Sequence, residues 1–304
     1  MFRRKRFFYL HIGIHKTATT FLQKDVFPLL EKVEFVQECK SLRSVFFASP
    51  KAWEDQGREA FDDIMGRAKN RKDKKSLLVS DENISTPHMF LPMNNRLRGF
   101  RKEPVLLREH LKKLGELVRA NGFHDLRVFS SFRRQDEWLA SWYSQQSNRM
   151  REPSQKDFEE KVGALLDKKR NFYNDGVWLD YSYLRHCLIE AVGARNLLFI
   201  PYESLKEKPS GYAAQLSGFI GDKKIISAVK PVMKQKRMAR SVSENHWEIR
   251  PPSSRLKPYR ENLGVESSIV LNSDLRAKIM GFFYKSNRNL QREIGGELAS
   301  LGYF

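Results

Sequence analysis

The 304-residue chain is 40% apolar and 12% aromatic, enough for a sizeable core, and it lacks the Gly/Ser/Pro tracts of collagen-like or disordered chains. Its 55 Lys and Arg against 36 Asp and Glu give a net charge of +19, which disfavours cationic substrates and draws in nucleic acid, anionic membranes, phosphorylated cofactors or acidic glycans. No apolar run is long enough for a transmembrane helix, and two distant cysteines, Cys39 and Cys187, point to a reduced, cytoplasmic protein.

Residues 1–10 imitate the basic start of a signal peptide, but His11, His15 and Lys16 break the apolar continuation. Residues 7–12 therefore read as a buried strand ending at Gly13. Leu22, Val26, Leu29, Leu30 and Val33 follow helical spacing. Residues 76–80 form a short strand that runs into Asp81 and Glu82, and 91–103 read as a basic loop. A helix follows Pro104, with Leu107, Leu111, Leu114 and Val118 on one face and Asn121-Gly122 as its stop. The next strand is 126–132, followed by helices over about 135–150 and 155–169. A helix at 181–192, a strand at 196–201 and a helix at 209–220 come next. Residues 223–260 are basic and aperiodic and read as loop, and a helix over 274–294 closes the chain. Strands separated by helices along 1–304 predict a single α/β domain built on a parallel sheet.

The strongest chemical signal lies where the first strand meets the first helix, at Gly13-Ile14-His15-Lys16-Thr17-Ala18-Thr19-Thr20. A loop of this kind turns backbone N–H groups and the positive end of a helix toward one point, which suits a phosphate or sulfate. Lys16 adds a cation, and Thr17, Thr19 and Thr20 add hydroxyl donors. A full Walker A loop would need Gly at Leu10 and His15, although Lys16-Thr17 fits its last two positions. An ordinary capped helix with a solvated Lys16 is the plainer alternative.

The second signal is Arg133, at the carboxyl end of a strand, where open α/β sheets place ligands. Ser141, eight residues on, lies in the second turn of the following helix, so the two side chains suit a single phosphate. Trp138, Leu139, Trp142 and Tyr143 form an apolar stripe that reads as core.

Together these loops resemble the PAPS-dependent sulfotransferase family. Its first motif, K-[ST]-G-T-T-W-L, is matched by Lys16-Thr17-Ala18-Thr19-Thr20-Phe21-Leu22, with Ala18 for Gly and Phe21 for Trp. Its second, R-x-P-x-x-R-x-x-S-x-Y, is matched at Arg133, Ser141 and Tyr143, with Gln135 for Pro and Trp138 for the second Arg. Ser80-Asp81-Glu82 is similar to the family's SxE segment, and Tyr202-Glu203-Ser204-Leu205 to its YExL segment. This form resembles the bacterial, carbohydrate-directed branch. The resemblance implies a P-loop-like parallel sheet flanked by helices. It also implies sulfuryl transfer from PAPS to a hydroxyl or amine, with a carbohydrate or other small acceptor, and neither nucleic acid nor metal.

Carried over by position, it implies that the loop Lys16-Thr17-Ala18-Thr19-Thr20 holds the 5′-phosphosulfate and that Arg133 and Ser141 hold the 3′-phosphate. Lys16 would also offset charge on the leaving oxygen. Tyr202 is an adenine contact or a core tyrosine. The basic segment 234–241, with Arg237 and Arg240, is a lid over the nucleotide or a solvated loop. Glu82 is the first choice for the base that takes the acceptor's proton, and His15, beside Lys16, is its competitor. His88, His110, His124, His186 and His246 show no metal-ligand spacing. A nucleotide-dependent kinase on a degenerate P-loop and a basic polyanion-binding protein remain the alternatives.

Overall fold

The computed structural model describes residues 5–68, 75–85, 104–167, 176–229, 241–243, 245–260, 266–296 and 298–304. Strand β1 (Phe7–His11) is buried from Phe8 onward, apolar or aromatic up to the final histidine, the pattern of a strand covered on both faces. It leads through the loop into a short helix, α1 (Thr19–Phe21), whose winding widens to π pitch over Leu22–Val26 and tightens to 3₁₀ pitch over Phe27–Leu29. The helical spacing expected as far as Val33 therefore stops at Leu29. Pro28 removes a backbone donor and Leu30 turns extended (ψ 133°). Val33 instead opens β2 (Val33–Gln37), because pairing with a neighbouring strand outweighs a short helical pattern.

Three helices with no counterpart in the expected order come next: α2 (Lys40–Phe47), α3 (Ala52–Asp55) and α4 (Gly57–Arg67). Then come β3 (Ser76–Ser80), α5 (Pro104–Ala120) and β4 (Asp125–Phe132). Helix α6 (Gln135–Gln146) ends sooner than expected and gives way to a 3₁₀ turn at Ser147–Arg149. Helix α7 (Gln155–Leu165), capped by the Ser154 side chain, also ends sooner, whereas α8 (Tyr181–Val192) has the expected bounds. The chain continues with β5 (Leu197–Pro201), α9 (Glu203–Glu207) and α10 (Pro209–Ile220).

The stretch 223–260 is not simply loop. It holds α11 (Lys224–Val229), the short strands β6 (Ser241–Ser243) and β7 (His246–Glu248), and α12 (Lys257–Arg260). Strands this short show no periodicity of their own. β7 is held antiparallel to the later strand β8 (Ser268–Val270), a partner invisible in local sequence. Helix α13 (Ser273–Ile294) is capped at its start by the Asn272 side chain. The expected basic loop at 91–103 and the segment 230–240, which holds Arg237 and Arg240, lie outside the described residues.

The described residues form two compact units, drawn from 1–86, 102–132 and 184–235 and from 133–183 and 236–304. The first unit carries a five-stranded, all-parallel sheet in the order β2-β3-β1-β4-β5. This is the α/β, P-loop-like architecture the sequence predicts. Helix α5 packs on β4, and α9 and α10 on β5. The chain leaves β1 toward β2 and leaves β4 toward β5, so the topological switch lies between β1 and β4 at their carboxyl ends.

In the second unit, α6 packs against α7, α13 and the β6-β7-β8 sheet. The side-chain amides of Gln135 and Asn287 bond each other in both directions, at 2.7 and 3.1 Å, and Asn287 also donates to the Tyr303 carbonyl at 2.9 Å. Asp136, fully buried, takes both Arg134 (2.9 and 2.7 Å) and Arg276 (3.1 Å). Arg260 is buried among main-chain carbonyls and donates to those of Ser147, Met150 and Arg250. Among the described residues no helix is long and apolar enough to cross a membrane, and the thiols of Cys39 and Cys187 are buried without a disulfide.

His11, the last residue of β1, is fully buried, with its ring stacked on Phe129 at 4.7 Å and Nδ1 2.7 Å from Ser80 Oγ. Burial drives its imidazole down from 6.5 to about 3. The unfolded chain therefore takes up a proton at this residue below about pH 6.5 that the folded chain refuses, and stability falls as pH drops toward 3. The expected slope from this residue is up to about 1.4 kcal/mol per pH unit. Urea unfolding across that range measures it, and His11→Phe, which removes the titration, should show a shallower slope.

Candidate active site

The loop after β1 belongs to the first unit. Its entry is fixed by sheet-like bonds: Ile12 N–H donates to the Phe129 carbonyl and Asp81 N–H to the His11 carbonyl, both at 3.0 Å. Ser85 Oγ donates to the Ile12 carbonyl at 2.5 Å. Gly13 is required by contact. A Cβ there would sit 2.6 Å from the Thr19 methyl and 2.7 Å from His11 Nε2. Farther on, Lys16 (φ 71°) and Ala18 (φ 62°) are left-handed, while Thr17 between them is not. Alternation of this kind bends successive N–H groups toward one concave side, an anion-binding arrangement. For residues with a Cβ it costs roughly 1–2 kcal/mol each. Lys16 is half-buried at this turn and Thr20 is exposed.

Thr17 and Thr19 are engaged within the protein. Thr17 is buried and its hydroxyl donates to the Ile14 carbonyl, closing the turn. Thr19 donates to Glu82 Oε2, and Glu82 Oε1 lies 3.2 Å from His15 Nδ1. The two residues named as alternative bases thus meet each other beside the loop. Burial pushes the Glu82 carboxyl up, but the His15 and Thr19 bonds prevail and hold it below its ordinary value.

Glu82 is positioned by its neighbour. Asp81 is fully buried and is gripped by Arg43 Nε at 2.9 Å and Nη2 at 3.0 Å, while it accepts the Asn83 N–H at 3.0 Å. Burial pushes the Asp81 carboxyl up and Arg43 opposes it. Gln23 Nε2 donates to Ser80 Oγ at 2.9 Å, so Ser80 joins Gln23 to His11 under the loop.

The second group of expected site residues lies in the second unit. Arg133 directly follows β4, two residues before α6, and its Nη2 donates to Glu137 at 2.7 Å, four residues on. Its carbonyl accepts the Tyr181 hydroxyl at 2.6 Å. Ser141 is buried in the second turn of α6. Trp138 and Trp142 stack at 5.6 Å as buried core, and Tyr143 is buried with its hydroxyl donating to Asp157 at 2.7 Å. Tyr202, in the first unit, is buried; its N–H donates to the Phe132 carbonyl at 2.6 Å and Lys206 lies over its ring at 5.1 Å. Among the described residues no group of His, Cys, Asp and Glu side chains has the arrangement of a metal site.

Sequence reasoning missed His11, Gln23, Arg43 and Glu137. The i, i+4 spacing of Arg133 and Glu137 was the available signal for that pair. The others depend on which strands are neighbours.

The left-handed Ala18 generates a stability test. Ala18→Gly should relieve the steric cost while adding unfolded-chain entropy, for a net gain of up to about 1 kcal/mol in urea unfolding. Gly13→Ala should act oppositely, costing about 1–3 kcal/mol through overpacking against Thr19 and His11.

No protein-family profile and no curated protein matches the chain. Solved structures do. A sulfotransferase from Alicyclobacillus acidocaldarius aligns over 98% of this chain and 99% of its own, with a TM-score of 0.53 at 14% identity. A mouse sulfotransferase complexed with PAP aligns over 94% of this chain and 86% of its own, with a TM-score of 0.45 at 15% identity. The first of these likenesses shows that the chain has the sulfotransferase fold.

Proposed function

We propose that this protein is a PAPS-dependent sulfotransferase of the bacterial carbohydrate-directed type, acting on a hydroxyl or amine of its acceptor. The observation that carries the reading is the loop after β1, where left-handed Lys16 and Ala18 enclose Thr17 at the switch point of a sulfotransferase-like sheet. A loop shaped in this way, with Gly13 kept free of a Cβ, fits the phosphosulfate end of PAPS. PAPS, when bound, supplies the sulfuryl group: the acceptor oxygen or nitrogen attacks sulfur, the bridging S–O bond breaks, and adenosine 3′,5′-bisphosphate leaves.

The chain's own residues then have separate tasks. Loop N–H groups hold the anion, and Lys16 sits where negative charge grows on the departing oxygen. Arg133 and Ser141 hold the 3′-phosphate, with Glu137 keeping the guanidinium oriented. Glu82 or His15 receives the acceptor's proton. The net charge of +19 favours an anionic donor.

Calorimetry with adenosine 3′,5′-bisphosphate beside AMP tests the reading. The bisphosphate should bind the wild type more tightly, and Arg133→Ala should remove most of that preference, about 1.5–3 kcal/mol for a charge-assisted bond. Equal affinity of the wild type for both nucleotides would overturn the 3′-phosphate assignment.

Lys16 should matter more to turnover than to binding, because charge on the leaving oxygen grows during transfer. With labelled PAPS and a panel of carbohydrate acceptors, Lys16→Ala should lose about 10²–10³ in turnover. Its affinity for the bisphosphate should fall by much less.

A further inference from the structure

Thr19 has one hydroxyl proton and, under the reading above, two claimants for it. In the structure it goes to Glu82 Oε2, while the other carboxylate oxygen faces His15 Nδ1 at 3.2 Å. A hydroxyl carries a single donor, so an anion in the loop that takes this proton takes it from Glu82. We infer that His15 and Glu82 act as one proton acceptor whose strength is set by Thr19: restrained while the hydroxyl donates to Glu82, and raised when it turns to the anion held in the loop. The inference rests on the proposed anion site.

The direction comes from elementary electrostatics. A hydrogen bond to a carboxylate favours its charged form, so losing it raises the carboxylate's hold on a proton. The arriving anion places negative charge near both members of the pair, which acts in the same sense. Several other groups bear on Glu82. Lys16 is the adjacent cation of the loop and is present in both states. His11, on β1, is kept neutral by burial. Arg43, beyond Asp81, is committed to Asp81 and Glu38. His11 and Arg43 lie outside the anion loop, and Lys16, which the reading above sets against the anion, carries its charge in both states.

In the transfer step the acceptor's bond to sulfur forms, the bridging S–O bond breaks with its electron pair leaving on the bisphosphate, and the acceptor's proton passes to the His15–Glu82 pair. The pair is then the stronger base when the donor is in place. By reciprocity, a proton on the pair must tighten anion binding.

Adenosine 5′-phosphosulfate is the probe, because it carries no group that titrates near neutral pH. Calorimetry in two buffers of different ionisation heat reads the protons taken up on binding. The wild type should take up protons and bind more tightly as pH falls. Thr19→Val and Glu82→Gln should each show a markedly smaller uptake, and Thr19→Ser, which keeps the hydroxyl, should restore it. A purely structural role for Thr19 would change affinity without changing uptake. Equal uptake in wild type and Thr19→Val overturns the inference and leaves the anion site standing. If Thr19→Val does not fold, the comparison of Glu82→Gln with wild type decides, equal uptake again overturning it. A folded wild type that does not bind the probe overturns the anion site and this inference together.

Discussion

The candidate site depends on the parallel pairing of β1 with β3 on one side and β4 on the other. That register sets His11 opposite both Ser80 and Phe129. The three strands are therefore level at this point, and the segments that leave β1 and β3 share a single rim. Glu82 lies two residues beyond the end of β3, and the loop begins two residues beyond the end of β1. A one-residue slip between these strands would turn His11 and Ser80 onto opposite faces and separate Glu82 from His15. The buried Asp81, tolerable in the interior through its two-pronged bond with Arg43, then fixes the direction in which the chain leaves β3.

On this rigid base the loop stores strain. Left-handed Lys16 and Ala18 are conformations that residues with a Cβ avoid, and they persist because bonds on either side over-determine them. Thr17 ties back to Ile14, Ser85 to Ile12, and Leu22 N–H to the Ala18 carbonyl. Glycine stands where contact is closest, at Gly13, and is absent where the backbone turns left-handed. The sulfotransferase-like motif carries Gly at the Ala18 position, so the backbone keeps the shape that glycine permits without having the glycine.

The parallel sheet was legible from the alternation of apolar runs with amphipathic stretches. α8 and α10 were read to the residue, because both are cleanly delimited, the one by Asp180 and Gly193 and the other by Pro209 and Gly221. What local pattern does not record was not legible. Val33 follows a helical spacing yet lies in a strand, because β3 offers it backbone partners. The strands β6 and β7 are three residues each and have meaning only through pairing, β6 with β7 and β7 with β8. At the site, Lys16, Thr19 and Glu82 were readable as residue types suited to anion and proton chemistry. That Thr19 and His15 both meet Glu82 was not readable, since the contact joins positions 63 residues apart through the order of strands.

The amide pair of Gln135 and Asn287 bears on how the protein is made. These residues are separated by 152 positions, and Asn287 is held in turn by the Tyr303 carbonyl. As the chain emerges from the ribosome, the segment carrying Arg133 is synthesised long before the helix that completes its surroundings. Until α13 arrives, α6, which carries the buried Trp138, Trp142 and Tyr143, lacks one of the elements that pack against it. The growing polypeptide therefore carries an incompletely packed, aromatic-rich helix through much of its synthesis, the kind of intermediate on which chaperones act. The first unit waits less, because its last strand ends at Pro201. The sheet that carries the loop is thus complete in sequence well before the second unit can close.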